Sequence, residues 1–109
     1  MSNIGTVYLF TNQTTSANST PLSIPYSNKI AVVKAWGTFD GANVTFESLA
    51  PGTSASPVWI DVPNRDGTVV TFSVNGQDVL EYLIQNEQIR AVLANAGAST
   101  AINVSFEMP

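Results

Sequence analysis

Carboxylates are the most numerous side chains in this sequence that could do acid–base chemistry. Cleavage of a glycosidic bond needs two of them held a set distance apart. The eight Asp and Glu residues are instead spread along the chain, at Asp40, Glu47, Asp61, Asp66, Asp78, Glu81, Glu87 and Glu107. Most fall at predicted turns or on the polar faces of predicted strands. We therefore interpret them as solvating and turn-forming residues rather than as a catalytic pair.

Nucleophilic catalysis lacks its usual base. The chain has no histidine and no cysteine, so an imidazole cannot activate a serine, and thiolate chemistry and cysteine-based zinc sites are excluded. Lys29 and Lys34 lie an odd number of positions apart on one predicted strand, which places them on opposite faces and disfavours a Ser–Lys pair. We expect a protein that is not an enzyme and that uses no cofactor.

One predicted turn contains the oxygen ligands that calcium prefers. Asp61, Asn64 and Asp66 come shortly before Gly67, and carboxylate and amide oxygens bind this ion. The same residue types are favoured in any tight turn. We prefer the turn interpretation and expect no metal site.

The charge pattern narrows the range of partners. Charged residues are 11% of the chain, and the net charge is −4 with only four basic residues, a poor match for a phosphate backbone. No apolar run approaches the ~20 residues that a membrane helix needs. The residues from Met1 to Gly5 have neither a basic nor an apolar region, so we expect no secretory signal. We expect neither nucleic acid nor membrane as a partner.

Apolar residues recur with a period of two, which predicts strands. The strongest run is 30–39, and others cover 44–46, 58–62, 69–74 and 102–108. Asp40-Gly41 and Asn75-Gly76 are strong hairpin signals. Phe39, Phe46, Phe72 and Phe106 fall on the apolar faces of their strands and are expected in the core. About eight or nine short strands at roughly ten-residue spacing predict an all-β protein: one antiparallel β-sandwich over residues 1–109.

The segment 78–94 allows two interpretations. Leu80, Leu83, Ile84 and Leu93 are compatible with a helix that begins at Asp78. Alternatively, the apolar residues from Leu80 to Ile84 form one strand and those from Ile89 to Leu93 a second. Gln85 and Asn86 interrupt the run, so we favour two strands.

The N-terminal region and two tryptophans suggest contacts with other chains. Residues 1–28 are expected to form a partly extended arm, since 11–20 is polar and lacks apolar anchors. Trp36 lies on a strand that is apolar on both faces, which implies an outer face covered by an arm, a loop or another subunit. Trp59 is out of phase with its apolar neighbours, so it either faces outward or packs in a second layer. The expected partner contacts are Leu22, Ile24, Tyr26, Trp36 and Trp59.

Three segments resemble short β-proteins in the virions of tailed bacteriophages. They are GTFDGANVTFE from Gly37 to Glu47, VWIDVP from Val58 to Pro63, and IRAVL from Ile89 to Leu93. The pattern in those proteins is a Gly-Thr/Ser-Phe strand, an Ala-x-Val hairpin, a Trp-x-x-Val strand and a late Arg-Ala-Val strand. The resemblance covers residues 30–106.

This resemblance implies a jelly-roll-like capsid cement or decoration protein on the capsid surface of a virion, made in the host cytoplasm. Its partners would be neighbouring major capsid proteins and further copies of itself, as a dimer or trimer. Two alternatives remain open. One is a tail, fibre or adaptor protein, and the other is a carbohydrate-binding module that uses Trp59 with Asp61 or Asn64.

Overall fold

A computed structural model describes residues 5–25, 30–81 and 83–108. These residues form ten β-strands and no helix. The strands are β1 (Gly5–Gln13), β2 (Ala17–Asn18), β3 (Leu22–Ser23), β4 (Ala31–Thr38), β5 (Asn43–Leu49), β6 (Trp59–Asp61), β7 (Thr71–Phe72), β8 (Gly76–Leu80), β9 (Gln88–Ala94) and β10 (Ala101–Met108). The all-β class predicted from the two-residue period is confirmed.

The strands build two antiparallel sheets. The first has four strands in the order β1-β10-β4-β8. The second has six, in the order β2-β9-β5-β6, with β3 also paired to β9 and β7 also paired to β5. Because β5 occupies one edge of β9 along its length, β2 and β3 lie one after the other along the opposite edge. In the same way β6 and β7 lie one after the other along one edge of β5. The second sheet is therefore four strands wide.

The chain passes repeatedly from one sheet to the other. β1 lies in the first sheet, β2 and β3 in the second, β4 in the first, and β5 to β7 in the second. β8, β9 and β10 then alternate first, second, first. With this interleaved order, two sheets that are each four strands wide face each other as a β-sandwich.

Both hairpin predictions are wrong. Asp40 and Gly41 have φ values of 48° and 85°, and the Ala42 N–H donates to the Phe39 carbonyl at 2.9 Å, so a tight turn is present. The turn nevertheless sends the chain from β4 in the first sheet to β5 in the second. Asn75-Gly76 likewise connects β7 and β8, which lie in different sheets.

The core fills the space between the inner faces of the two sheets. β10 shows the pattern most clearly, since Ile102, Val104, Phe106 and Met108 are completely buried while Asn103 and Glu107 face outward. The four phenylalanines expected in the core are all buried there. Phe46 and Phe72 pack edge to face, with ring centroids 6.3 Å apart.

The described residues of 78–94 form strands rather than a helix, but only the second predicted strand, from Ile89 to Leu93, is confirmed. The first is wrong, because Leu80 is the last residue of β8, and Leu83 and Ile84 lie outside any strand. β8 ends at Leu80 and β9 begins at Gln88. Between them the Asn86 N–H donates to the Ile24 carbonyl at 2.8 Å, and the positive φ of Asn86, 70°, belongs to this turn. β9 then alternates buried Ile89, Ala91 and Leu93 with half-buried residues.

The described part of the predicted arm, residues 5–25, is extended but belongs to this domain's own sheets. β1 pairs with β10, and the Ser19 N–H donates to the Ala91 carbonyl at 2.8 Å. Ile24 is completely buried and its N–H donates to the Glu87 carbonyl at 2.9 Å. The expectation that this segment reaches a neighbouring subunit is corrected, because the edge of β9 and the core supply its partners.

Candidate functional site

The predicted contact residues do not form one cluster. Trp36 and Trp59 lie on the outer faces of different sheets. Ile24 is completely buried, and Leu22 is half-buried and packs against the core. Ile24 has no exposed surface, so its assignment as a partner contact is corrected, whereas Leu22 keeps part of its surface exposed and stays a predicted contact. Tyr26 lies outside the described residues.

The outer face of the first sheet presents an aromatic pair. Tyr8 on β1 and Trp36 on β4 pack edge to face, with ring centroids 6.4 Å apart and an interplanar angle of 70°. Tyr8 is 61% exposed and Trp36 37%. β10 runs between their strands, and Ser105 lies opposite Tyr8. Although its position faces outward, Ser105 is only 2% exposed, which shows how closely the neighbouring side chains cover the strand.

An ion pair and a valine continue this surface. Lys34 Nζ lies 2.8 Å from Glu107 Oε1, and half-buried Val32 lies opposite Glu107 in the register of β4 and β10. We call the surface made by Tyr8, Trp36, Val32, Lys34 and Glu107 the aromatic face. It combines exposed aromatic rings, which are enriched at protein interfaces, with a charge pair that is already neutralised.

The outer face of the second sheet has its own tryptophan, which is already engaged. The Arg90 guanidinium carbon lies 3.9 Å from the centroid of the Trp59 ring. Arg90 Nε and Nη2 also donate to Glu47 Oε1, at 3.0 and 2.8 Å. One face of the Trp59 ring is therefore covered by a cation, which leaves less of it for a sugar or a partner.

The sequence analysis did not predict the contact of Arg90 with Trp59 and Glu47. Arg90 and Glu47 are 43 residues apart, and only the pairing of β9 with β5 places them opposite each other. Alternation places each residue on an outer face, but it does not give the register between two distant strands. The resemblance includes the segment from Ile89 to Leu93 but does not indicate which residue pairs with Arg90.

A groove opens at one end of the sandwich. It has a volume of about 510 Å³, and the loop 50–57 forms part of its wall. Ile60 and Ile84 contribute exposed apolar surface, and Glu87 contributes a carboxylate. Val58 and Ile60 alternate with Trp59 along the chain and are both about half exposed, whereas Val62 is buried.

In the turn that was weighed as a calcium site, the side chain of Asn64 helps to build the turn itself. Asn64 Oδ1 accepts from the N–H groups of Asp66 and Thr68 at 2.9 and 3.1 Å. Asn64 Nδ2 donates to Asp78 Oδ2 at 3.2 Å. Within residues 5–25, 30–81 and 83–108, no group of three or more His, Cys, Asp or Glu side chains could hold a metal ion.

Every basic side chain in the described part of the chain forms an ion pair. Lys34 pairs with Glu107, Arg65 with Glu81, and Arg90 with Glu47. Positive charge on the described surface is thus compensated locally, and the excess charge that remains is acidic.

Comparison of the chain with protein-family models, curated proteins and solved structures finds no match. The described residues also contain no helix with the length and apolar character to cross a membrane.

Proposed function

We propose that this chain is a non-enzymatic structural subunit of a virion, of the capsid cement or decoration type. In this proposal its aromatic face binds neighbouring major capsid proteins on the assembled shell. The observation that supports it most directly is the exposed Tyr8–Trp36 pair on the outer face of the first sheet.

The pair has the properties of an interface anchor. Tyrosine and tryptophan supply large contact areas at a small entropy cost, and they are enriched among the residues that contribute most to protein binding. Here both rings stand on strands that pair with β10, and each ring packs against the other. They are therefore held in place before a partner arrives, which lowers the cost of association.

The charge distribution favours a protein partner over a nucleic acid. The whole chain has a net charge of −4, and the described cations are all engaged by carboxylates. A phosphate backbone would meet repulsion, whereas a neutral or basic protein surface would complement the chain. A sugar-binding role at Trp59 has less support because Arg90 covers one face of that ring.

The mechanism of such a subunit is thermodynamic. A molecule that binds only the assembled shell stabilises that state over the dissociated one by mass action. The sandwich suits this task because the polar groups in its interior are hydrogen-bonded. Among the described residues, no buried side-chain polar atom lacks a hydrogen-bond partner.

The proposal is tested by locating the chain in a particle. We expect cryo-EM of virions that carry it to show copies at repeated positions on the head shell, with the aromatic face against major capsid protein. Density for the chain only in the tail would favour the fibre or adaptor alternative and contradict a cement role. Density on the shell with Tyr8 and Trp36 facing solvent would contradict the assigned surface.

A further inference from the structure

Two of the four outer edges of the sheets are too interrupted to pair with another strand. One edge of the second sheet consists of β2 and β3, two residues each, with Pro21 between them. The opposite edge consists of β6 and β7, separated by a loop that contains Pro63. Short edge strands and prolines are devices that prevent pairing between molecules.

The β8 edge of the first sheet is blocked by charge and by a loop. Asp78 lies in the middle of the strand, and its carboxylate accepts from the Val79 N–H at 2.8 Å and from Asn64 Nδ2 at 3.2 Å. The adjacent Arg65 forms an ion pair with Glu81 just beyond the strand. An added strand would have to displace these groups.

β1 has none of these protections. It is nine residues long, and its sequence, GTVYLFTNQ, contains neither a charged residue nor a proline. β10 occupies one edge of β1, and no described strand pairs with the other. The register is regular from Gly5 to Tyr8, and irregularities begin after Tyr8. We call Gly5–Tyr8 the open edge, since its outward N–H and C=O groups form a ready template for another strand.

We propose that the open edge pairs with the open edge of a second copy of this chain, antiparallel and about a two-fold axis. A two-fold axis perpendicular to the sheet pairs a strand with itself in the antiparallel sense, and it uses the same surface on both copies. Because the strand is uncharged, it adds no electrostatic repulsion to that contact. The rest of the surface is acidic, so contacts between copies elsewhere are disfavoured by repulsion between like charges.

The parity of strand pairing fixes which residues approach each other. Residues directly opposite in a sheet lie on the same face, and Thr6 and Tyr8 both lie on the outer face of the first sheet. Thr6 of one copy must therefore lie opposite Thr6 or Tyr8 of the other when the open edges pair. The dimer joins two four-stranded sheets into one continuous sheet and places two aromatic faces side by side.

The contact is small, which determines how the dimer behaves. Stable, specific interfaces bury about 1,200–2,000 Å², and a pairing of four residues plus two tyrosines provides less. We therefore expect a weak dimer that dissociates on dilution. On a shell, two linked aromatic faces would bind more tightly than one, because the second binding event becomes intramolecular.

Sedimentation equilibrium of the full chain over a range of concentrations tests the proposal. We expect the apparent mass to rise from that of one chain to that of two, and Thr6→Lys to remain monomeric. Lysine suits the site because Thr6 lies opposite Glu107 within its own sheet. The matched control is Gln77→Glu on the β8 edge of the same sheet, opposite Lys34, and it should dimerise as the parent does. Circular dichroism and urea unfolding establish that both variants are folded.

Three outcomes would overturn the proposal. They are a parent chain that stays monomeric at the highest concentration, a Thr6→Lys chain that still dimerises, and a Gln77→Glu chain that does not. The proposed capsid role is tested separately, because the folded monomeric Thr6→Lys chain retains Tyr8 and Trp36. Its binding to shells tests the two aromatic rings in the absence of the dimer.

Discussion

The guanidinium of Arg90 lies 3.9 Å from the centre of the Trp59 ring. The same group pairs with Glu47, so one side chain from β9 connects β5 and β6 on the outer face of the second sheet. The side chains of Arg90 and Glu47 are 20% and 22% exposed, which makes this pair less hydrated than an ordinary surface salt bridge.

We predict that Arg90→Leu lowers the free energy of unfolding by about 1–3 kcal/mol, because it removes the stacked cation and leaves a partly buried carboxylate without its partner. Arg90→Lys should lie between Leu and the parent, since an ammonium keeps the charge but not the planar fork. Urea denaturation measures both. As a control, Lys34→Ala breaks a more exposed pair and should cost at most about 1 kcal/mol. Equal losses of unfolding free energy in Arg90→Leu and Lys34→Ala would contradict the role given to Arg90.

A second prediction concerns Gly37, where β4 passes close to β10. Its φ is +132°, and a Cβ atom at this position would overlap the Ala101 carbonyl oxygen. We predict that Gly37→Ala destabilises the protein by about 2 kcal/mol or more, since it adds a backbone clash to an unfavourable φ. Thermal unfolding followed by circular dichroism measures the change.

Gly52 provides the matched control for Gly37. Its φ is also positive, +74°, but a Cβ there would meet nothing within 4 Å. Gly52→Ala should therefore show only the intrinsic cost of the left-handed conformation, about 1 kcal/mol. A Gly37→Ala protein no less stable than Gly52→Ala would show that the strands separate easily at this point.

Local pattern predicted the longer strands β4, β5, β9 and β10 but not their partners, and the run 69–74 forms only the two-residue strand β7. The alternation in 102–108 places Ile102 and Phe106 in the core, as observed. The Asp40-Gly41 signal specifies a reversal of the chain, and the reversal is present. A turn does not choose the sheet that the next strand joins, however. β4 pairs with β10 and β5 with β9, and these long-range contacts outweigh the local hairpin.

The N-terminal segment leads to a third prediction. Polar composition suggested an extended arm, because the segment has few apolar residues, but pairing with β10 and β9 and the buried side chains of Phe10 and Ile24 hold it against the domain. Ile24 is completely buried, so Ile24→Ala should destabilise the domain by about 2–5 kcal/mol. Ser23→Ala, next to it and exposed, should change stability by less than about 0.5 kcal/mol. Urea unfolding distinguishes the two, and a neutral Ile24→Ala would restore the extended-arm interpretation.

The candidate site was predictable only in part. The sequence placed Trp36 on a strand with two apolar faces and among the expected partner contacts, but it did not decide which face Trp36 occupies; the structure places it on an outer face. Tyr8 was not identified, because its proximity to Trp36 depends on β10 lying between β1 and β4. The two rings come from strands that are close in space only after the final strand has paired with both.

The aromatic face gives the last prediction. If Tyr8 and Trp36 anchor the chain to a capsid shell, Trp36→Ala should weaken binding by roughly 30-fold, which corresponds to about 2 kcal/mol for the loss of a central aromatic residue. Tyr8→Ala should weaken binding less, because Trp36 keeps its place on β4. The double variant should lose less binding free energy than the two single variants together, since the rings support each other.

Cosedimentation of each purified chain with shells that lack it measures the affinity. Ile84→Ala removes a comparably exposed apolar side chain from the groove at the end of the sandwich and should bind as the parent does. Weakening by Ile84→Ala with no effect of Trp36→Ala would transfer the binding surface from the aromatic face to the groove.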